Sequence, residues 1–287
     1  MDVAFIGADS PLGLRLQTLL QETGRHQVLP LSGAASRFKS ERQAKKAVRR
    51  GNPKAVVDLR LAALFGQGEG LQEADIERCH WLAKACERSG MFYLLLSRDR
   101  VFSGLHHRPL RESDPTDSED SVGLALIEAE GRVREAAPSA CVLRTGPIFS
   151  GLGDALLSGT LDTLLESRNA TFDDMDQFCP SGVDDVARVV AAVLDQVSVG
   201  ASAAGVYQYS SADRTTRYGF AEVLLAAAGQ YADLGDVTLS ALGNAGEGRT
   251  RILDCTRLRD AFGIKQVSWR GFVSDAVKRY FDEKKEV

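Results

Sequence analysis

Residues 1–13, Met1-Asp2-Val3-Ala4-Phe5-Ile6-Gly7-Ala8-Asp9-Ser10-Pro11-Leu12-Gly13, decide how the rest of the chain is read. Asp2–Ile6 is a short apolar run that stops at Gly7, after which Leu12, Leu16, Leu19 and Leu20 recur at helical spacing. A core strand that runs through a glycine turn into an amphipathic helix is the opening of a βα unit.

Outward from there the alternation continues. Val28–Leu31 follows Gly24, a basic amphipathic stretch runs from Arg37 to Arg50, and Ala55–Leu59 is a third strand entered through Asn52-Pro53. Ile76–Glu87 reads as a helix, and Phe92–Leu96 (FYLLL) as a strand covered on both faces. Leu124–Ala136 reads as a helix and Ala140–Leu143 as another buried strand. This rhythm implies right-handed crossovers, so the expected fold class is α/β, a Rossmann-type doubly wound parallel sheet. The second half changes character. Helices are expected at Asp154–Glu166, Ser181–Asp195, Tyr218–Ala228, Leu258–Phe262 and Trp269–Phe281, with a strand at Gly205–Tyr209. Glu112–Ser121, acidic and rich in turn formers, is the loop with a disordered flavour.

Composition narrows the function classes. A formal net charge of -4 over 287 residues gathers neither nucleic acid nor an anionic membrane surface. Five cysteines without Cys-x-x-Cys spacing argue for free thiols in a reducing, cytoplasmic setting, and four scattered histidines give no metal site. No apolar stretch nears the roughly 20 residues that span a bilayer.

Gly7 to Gly13 sits where a dinucleotide loop belongs, between the first strand and the first helix. Glycines there permit a tight turn and let backbone N–H groups approach a pyrophosphate at a helix N-terminus. Gly7, Ser10, Pro11, Leu12 and Gly13 are therefore candidate cofactor contacts, with Ser10 where a middle glycine would stand and its hydroxyl free to donate to phosphate. The alternative is that the glycines only make the turn. After the second strand, Leu31-Ser32-Gly33 and then Arg37 and Lys39 replace the acid of an NAD site. Ser32 and Arg37 lean toward a 2′-phosphate, hence NADP if any cofactor binds, against a plainly solvated basic face.

From Leu96 onward the sequence resembles the dTDP-4-dehydrorhamnose reductase (RmlD-like) family of extended short-chain dehydrogenases/reductases. The strand-end motif S-T-D-Y-V-F-x-G corresponds to Ser97-Arg98-Asp99-Arg100-Val101-Phe102-Ser103-Gly104, and P-x-x-E-x-D-P to Pro109, Glu112, Asp114 and Pro115. The helix motif Y-G-x-x-K-x-x-x-E corresponds to Val122 through Glu130, and L-R-T to Leu143-Arg144-Thr145. Asp176 to Pro180 with Asp185-Val186-Ala187, and Leu253 to Leu258, resemble two later family segments. The resemblance implies two lobes. Residues 1–146 would be the NAD(P)-binding type and 147–287 a smaller, substrate-binding type for a sugar nucleotide, with part of 181–210 returning to the first lobe.

The family's chemistry is missing from these positions. In such enzymes a tyrosine exchanges the proton at the substrate oxygen, and a lysine one helical turn on lowers its pKa from about 10. Here the tyrosine position is Val122, the lysine position Leu126 and the Thr/Ser position Arg98. Val122 and Leu126 share a helix face and suit a core better than a proton relay. The small-residue run N-A-A-A corresponds to Asp58-Leu59-Arg60-Leu61, whose bulk should crowd the nicotinamide end of the groove, and the S-W after L-R-T is Gly146-Pro147.

Gains accompany the losses. Arg60, Arg98 and Arg100 fall at the carboxyl ends of adjacent strands, the crevice where doubly wound folds bind ligands, and form a candidate anion site. His106, His107, Arg108 and Arg111 follow on the next loop. The counter-reading is that Asp58, Asp99 and the acidic loop neutralise these arginines and close the cleft. Three functions compete. The favoured one is a non-catalytic sugar-nucleotide or dinucleotide binder, or a regulatory subunit with a protein partner or a homodimer. Its precedent is the regulatory subunit of methionine adenosyltransferase, which resembles this family. The second is an active NADPH-dependent reductase or epimerase with acid–base groups relocated to Asp99, His106 or His107. The third is a structural interaction module whose cleft is filled.

Overall fold

The computed structural model describes the chain apart from Gly33, residues 65–70, His107, residues 244–247 and Val287. In chain order the first half contains β1 (Asp2–Ile6), α1 (Pro11–Thr23), β2 (Gln27–Leu31), α2 (Glu41–Arg50), β3 (Ala55–Asp58), α3 (Arg60–Leu64), α4 (Glu73–Glu87), β4 (Phe92–Arg98), α5 (Ser121–Ala136) and β5 (Cys141–Thr145). There follow β6 (Ile148–Phe149), α6 (Leu157–Glu166), β7 (Asn169–Phe172), β8 (Gln177–Phe178), β9 (Ser181–Gly182), α7 (Val183–Ser198) and β10 (Gly205–Tyr209). The chain ends with α8 (Arg217–Ala228), β11 (Thr238–Ala241), β12 (Thr250–Arg251), α9 (Thr256–Phe262) and α10 (Val273–Glu286).

Six parallel strands form the central sheet in the order β10-β5-β4-β3-β1-β2. The strands β3, β4 and β5 read as continuous apolar runs because helices cover both faces. Pro30 is tolerated in β2 because that strand is the sheet edge, where a missing N–H breaks no ladder. On one face Leu12, Leu16 and Leu20 of α1 join Val186, Val190 and Val193 of α7 in a shared core. On the other, α2, α4 and α5 cover β3 and β4, with Val48, Leu82, Leu126 and Val133 buried. A third core joins α6, α8 and α10 around Phe149, Phe220 and Trp269, whose rings meet at centroid distances of 5.6 and 5.1 Å.

The strand order reverses between β1 and β3, and there the chain leaves the sheet at Gly7 on one side and Leu59-Arg60 on the other. Ligand crevices of doubly wound sheets open at such a point.

Three expectations are corrected. The acidic loop is tied down rather than disordered: Asp117 accepts from the Ser103 backbone N–H at 2.8 Å, Asp114 from Arg111 N–H at 2.8 Å, and Asp120 caps α5 by accepting from Gly123 N–H. Its carboxylates serve backbone donors, a use that composition does not reveal. The expected helix from Ser181 begins at Val183, because Ser181-Gly182 pairs with β6. The basic stretch from Arg37 is helical only from Glu41, with Ser40 as its N-cap. Among the described residues no helix is long and apolar enough to cross a membrane.

Candidate functional site

Gly7 adopts φ 79°, a left-handed turn natural to glycine, so that β1 can hand over to α1. A Cβ on Gly13 would come 2.6 Å from the Gly7 carbonyl oxygen, so the helix packs against the turn only with glycine there. Ser10 is the N-cap of α1: its Oγ donates to the Gly7 carbonyl at 2.7 Å and accepts from Gly13 N–H at 3.1 Å. That hydroxyl hydrogen is committed to the turn and is not free for a phosphate, which corrects its expected use. Pro11 lacks an N–H, and by helix geometry the Leu12 N–H has no acceptor within the helix.

The loop forms one wall of a cleft of about 1200 Å³. Side chains therefore do not fill the cleft, contrary to the interaction-module reading. Gly7, Ser10, Pro11, Leu12 and Arg37 line it, whereas Gly13 and Ser32 do not. Ser32 Oγ accepts from Ala35 N–H at 3.1 Å and shapes the following turn instead. Gly33 and His107 lie outside the described residues.

Arg60, Arg98 and Arg100 all line this cleft. Each is anchored differently. Arg60 is held by Asp58, through Nε–Oδ1 at 2.9 Å and Nη2–Oδ2 at 2.6 Å, and both residues are buried. Arg100 pairs with Asp120 at 2.9 Å. Arg98 ends β4 beside Asp99, and burial pulls its guanidinium below the ordinary value. Internal carboxylates thus neutralise part of the cluster without closing the cleft. His106 pairs with Asp117 at 3.3 Å, Arg108 with Asp114 and Arg111 with Asp254, and none of the three basic residues lines the cleft.

The expected crowding at the end of β3 does not arise from Leu61, which turns into the core and is fully buried. Leu126 is likewise buried, Val122 packs against the same core, and neither lines the cleft. A Cβ on Gly123 would come 2.4 Å from the Arg100 carbonyl oxygen, so the start of α5 is pressed onto the turn after β4.

Asp99 occupies the cleft wall with 2% exposure. Burial holds its carboxyl above the usual carboxylate range, outweighing the nearby Arg98, Arg251 and Arg100 charges. The lining also includes Asp154, Asp173, Arg217, Arg249 and Arg251, which sequence reading missed as site residues. Arg251 donates to the Phe102 and Ser103 carbonyls at 2.9 and 3.1 Å, and Arg217 lies over the Phe178 ring. The one hint in the sequence is the basic pair Arg249-Thr250-Arg251 just before Leu253. Burial lowers the pKa of Arg217 and Arg251, against the opposing charges of Asp154 and Asp173 on the first and Asp99 on the second. Such a wall suits an anionic, oxygen-rich ligand. Among the described residues no cluster of metal-ligating side chains exists.

The profile of the RmlD substrate binding domain matches residues 1–282. A dTDP-4-dehydrorhamnose reductase of Burkholderia thailandensis is 25% identical over 296 residues, covering 97% of this chain and 98% of its own. The methionine adenosyltransferase 2 subunit beta of Danio rerio is 28% identical over 155 residues, 52% of this chain and 47% of its own. The crystal structure of a Bacillus anthracis dTDP-4-dehydrorhamnose reductase in complex with NADP superposes with a TM-score of 0.78 at 18% identity, covering 98% of this chain and 99% of that one, a likeness of fold.

Proposed function

The chain belongs to the RmlD substrate binding domain family, and from that membership we propose that its cleft takes NADP(H) and a nucleotide sugar, and that it is a dTDP-4-dehydrorhamnose reductase-like oxidoreductase with relocated acid–base groups. Residues 1–146 hold the dinucleotide in this reading and residues 147–287 supply the sugar-nucleotide wall. The carrying observation is that one cleft joins the glycine loop at the N-terminus of α1 to the wall of Arg217, Arg249 and Arg251. The loop fits a diphosphate: Gly13 has no room for a side chain, Gly7 has a left-handed φ that favours glycine, and the first turn of α1 offers an N–H without a helical acceptor. Arg37 suits the 2′-phosphate of NADP. Five buried free thiols suit a reducing cytoplasm.

NADPH, when bound, would supply a hydride to a keto carbon. This chain's part is to orient the sugar, exclude water and hold the proton that the oxygen then takes. Asp99 is the group for that proton, since it stands in the cleft wall and burial raises its carboxyl pKa, the direction a general acid needs. Arg98, at the family's Thr/Ser position, brings guanidinium donors to the same place.

A second reading, a nucleotide-binding regulatory protein without turnover, is favoured by the apolar Val122 and Leu126 outside the cleft. Its named counterpart is methionine adenosyltransferase 2 subunit beta, matched over about half of each chain. The test is calorimetric titration with NADPH and a dTDP-sugar, followed by NADPH oxidation with a dTDP-4-keto sugar. Turnover that Asp99→Asn abolishes while NADPH still binds supports the oxidoreductase. Binding without turnover selects the second reading, and no binding of either ligand defeats both.

A further inference from the structure

We propose that Arg60 is a purpose-built anion receptor of this chain, gripping the diphosphate of the dinucleotide from the β3 side of the cleft. The inference rests on the cleft reading above and assigns to one residue a task that the reading does not give it.

The guanidinium has five N–H donors. Nε and one hydrogen of Nη2 go to the two oxygens of Asp58, and Nη2 also reaches Cys79 Sγ at 3.4 Å. Nη1, with its two hydrogens, is buried and has no acceptor. The side chain is 7% exposed, yet Arg60 lines the cleft. A buried donor without an acceptor is destabilising, and a ligand oxygen would relieve it.

Its position is fixed from both sides. The Tyr93 hydroxyl donates to Asp58 Oδ2 at 2.9 Å, so the carboxylate that orients the guanidinium is itself anchored in the core. On the cleft side, a Cβ built on Gly7 would stand 3.4 Å from Arg60 N and 3.6 Å from its Cγ, so loop and arginine are in contact. The register pairs Ile6 with Asp58, which sets Gly7 and Arg60 facing each other across the switch point. A guanidinium clamped on one edge and unsatisfied on the other holds its donors in place without the ordering cost of a free side chain. The helix N-terminus of α1 and the Arg60 fork then flank one anion.

The experiment is titration of inorganic pyrophosphate and of NADPH into the full-length protein and two variants. Arg60→Lys keeps the ion pair with Asp58 but loses the fork. Asp58→Asn with Arg60→Met removes both charges together, so no buried carboxylate is left unpaired, and thermal melting checks that it is folded. Affinity for both probes is expected to fall at least tenfold in the double variant and at least fivefold in Arg60→Lys. Either folded variant binding both probes within twofold of the wild type overturns the role of Arg60 and leaves the cleft reading standing. A wild-type protein that binds neither probe overturns both.

Discussion

The Tyr93 hydroxyl donates a 2.9 Å hydrogen bond to Asp58 Oδ2, joining adjacent parallel strands β4 and β3 by side chains as well as by their backbones. Burial and the Asp58 charge hold this phenol well above its ordinary pKa, so it stays a donor at every working pH. Tyr93→Phe removes one bond to a charged acceptor and leaves Arg60 on the carboxylate, at an expected cost of about 1.5–3 kcal/mol. Urea unfolding of the two proteins measures it, and a difference under about 0.5 kcal/mol would show that the hydroxyl contributes little.

Asp99 ties pH to both stability and turnover. Its folded pKa is raised by burial, so between the unfolded carboxyl value near 3.9 and that raised value the native state binds the extra proton. Stability from this group therefore falls as pH rises through the window. Asp99→Asn should gain stability over the wild type progressively from about pH 4 upward, and equal slopes would contradict the raised pKa. If turnover is found, it should decline as pH rises through the Asp99 pKa, and Asp99→Asn should lower kcat by about 100-fold or more.

Restoring the family's pair on α5 should not restore its chemistry. Leu126 is fully buried, and the buried Glu130 one turn on is already committed to Arg144 and Ser97, so Leu126→Lys buries a cation without a carboxylate of its own, at roughly 3–5 kcal/mol. Val122→Tyr combined with Leu126→Lys should melt well below the wild type and gain no reductase activity. A stable, active double variant would mean that the start of α5 can reopen toward the cleft.

All five cysteines are buried, and burial pushes the Cys141, Cys179 and Cys255 thiols up to about 12. Iodoacetamide at pH 8 should leave the native protein unmodified and label five thiols after denaturation, counted by intact mass. Rapid labelling of the native protein at any of them would point to local opening around that residue.

How much of this was legible depended on what each signal needs. The sheet strands β3 to β5 announce themselves because two-sided burial writes continuous apolar runs, and α1 because Leu12, Leu16 and Leu20 recur on one face. Strands of two residues, such as β6, β8, β9 and β12, have no period to detect. At the site, the loss of the tyrosine and lysine could be read at Val122 and Leu126, since apolar side chains carry no proton wherever they point. The rest of the lining could not: Arg217 and the Arg249-Arg251 pair come from segments that only tertiary packing brings to the cleft. Ser10 is ambiguous for a different reason: an N-cap and a phosphate donor look alike in sequence, and only the Gly7 and Gly13 partners tell them apart.

The pairing of α1 with α7 carries a consequence for how the protein is made. Leu12, Leu16 and Leu20 are covered by α7, and Arg15, Arg25 and His26 reach Asp184 and Asp195 at 2.5, 2.6 and 2.8 Å. Those partners are translated some 170 residues later, as the sequence separations of 169 and 170 record. While the ribosome works through the intervening chain, the first helix has its apolar face bare, and the outer edge of β5 waits for β10. Nascent chains stalled before Val183 are therefore the species that chaperones should hold, and emergence of α7 and β10, rather than completion of the first five strands, sets the moment of folding.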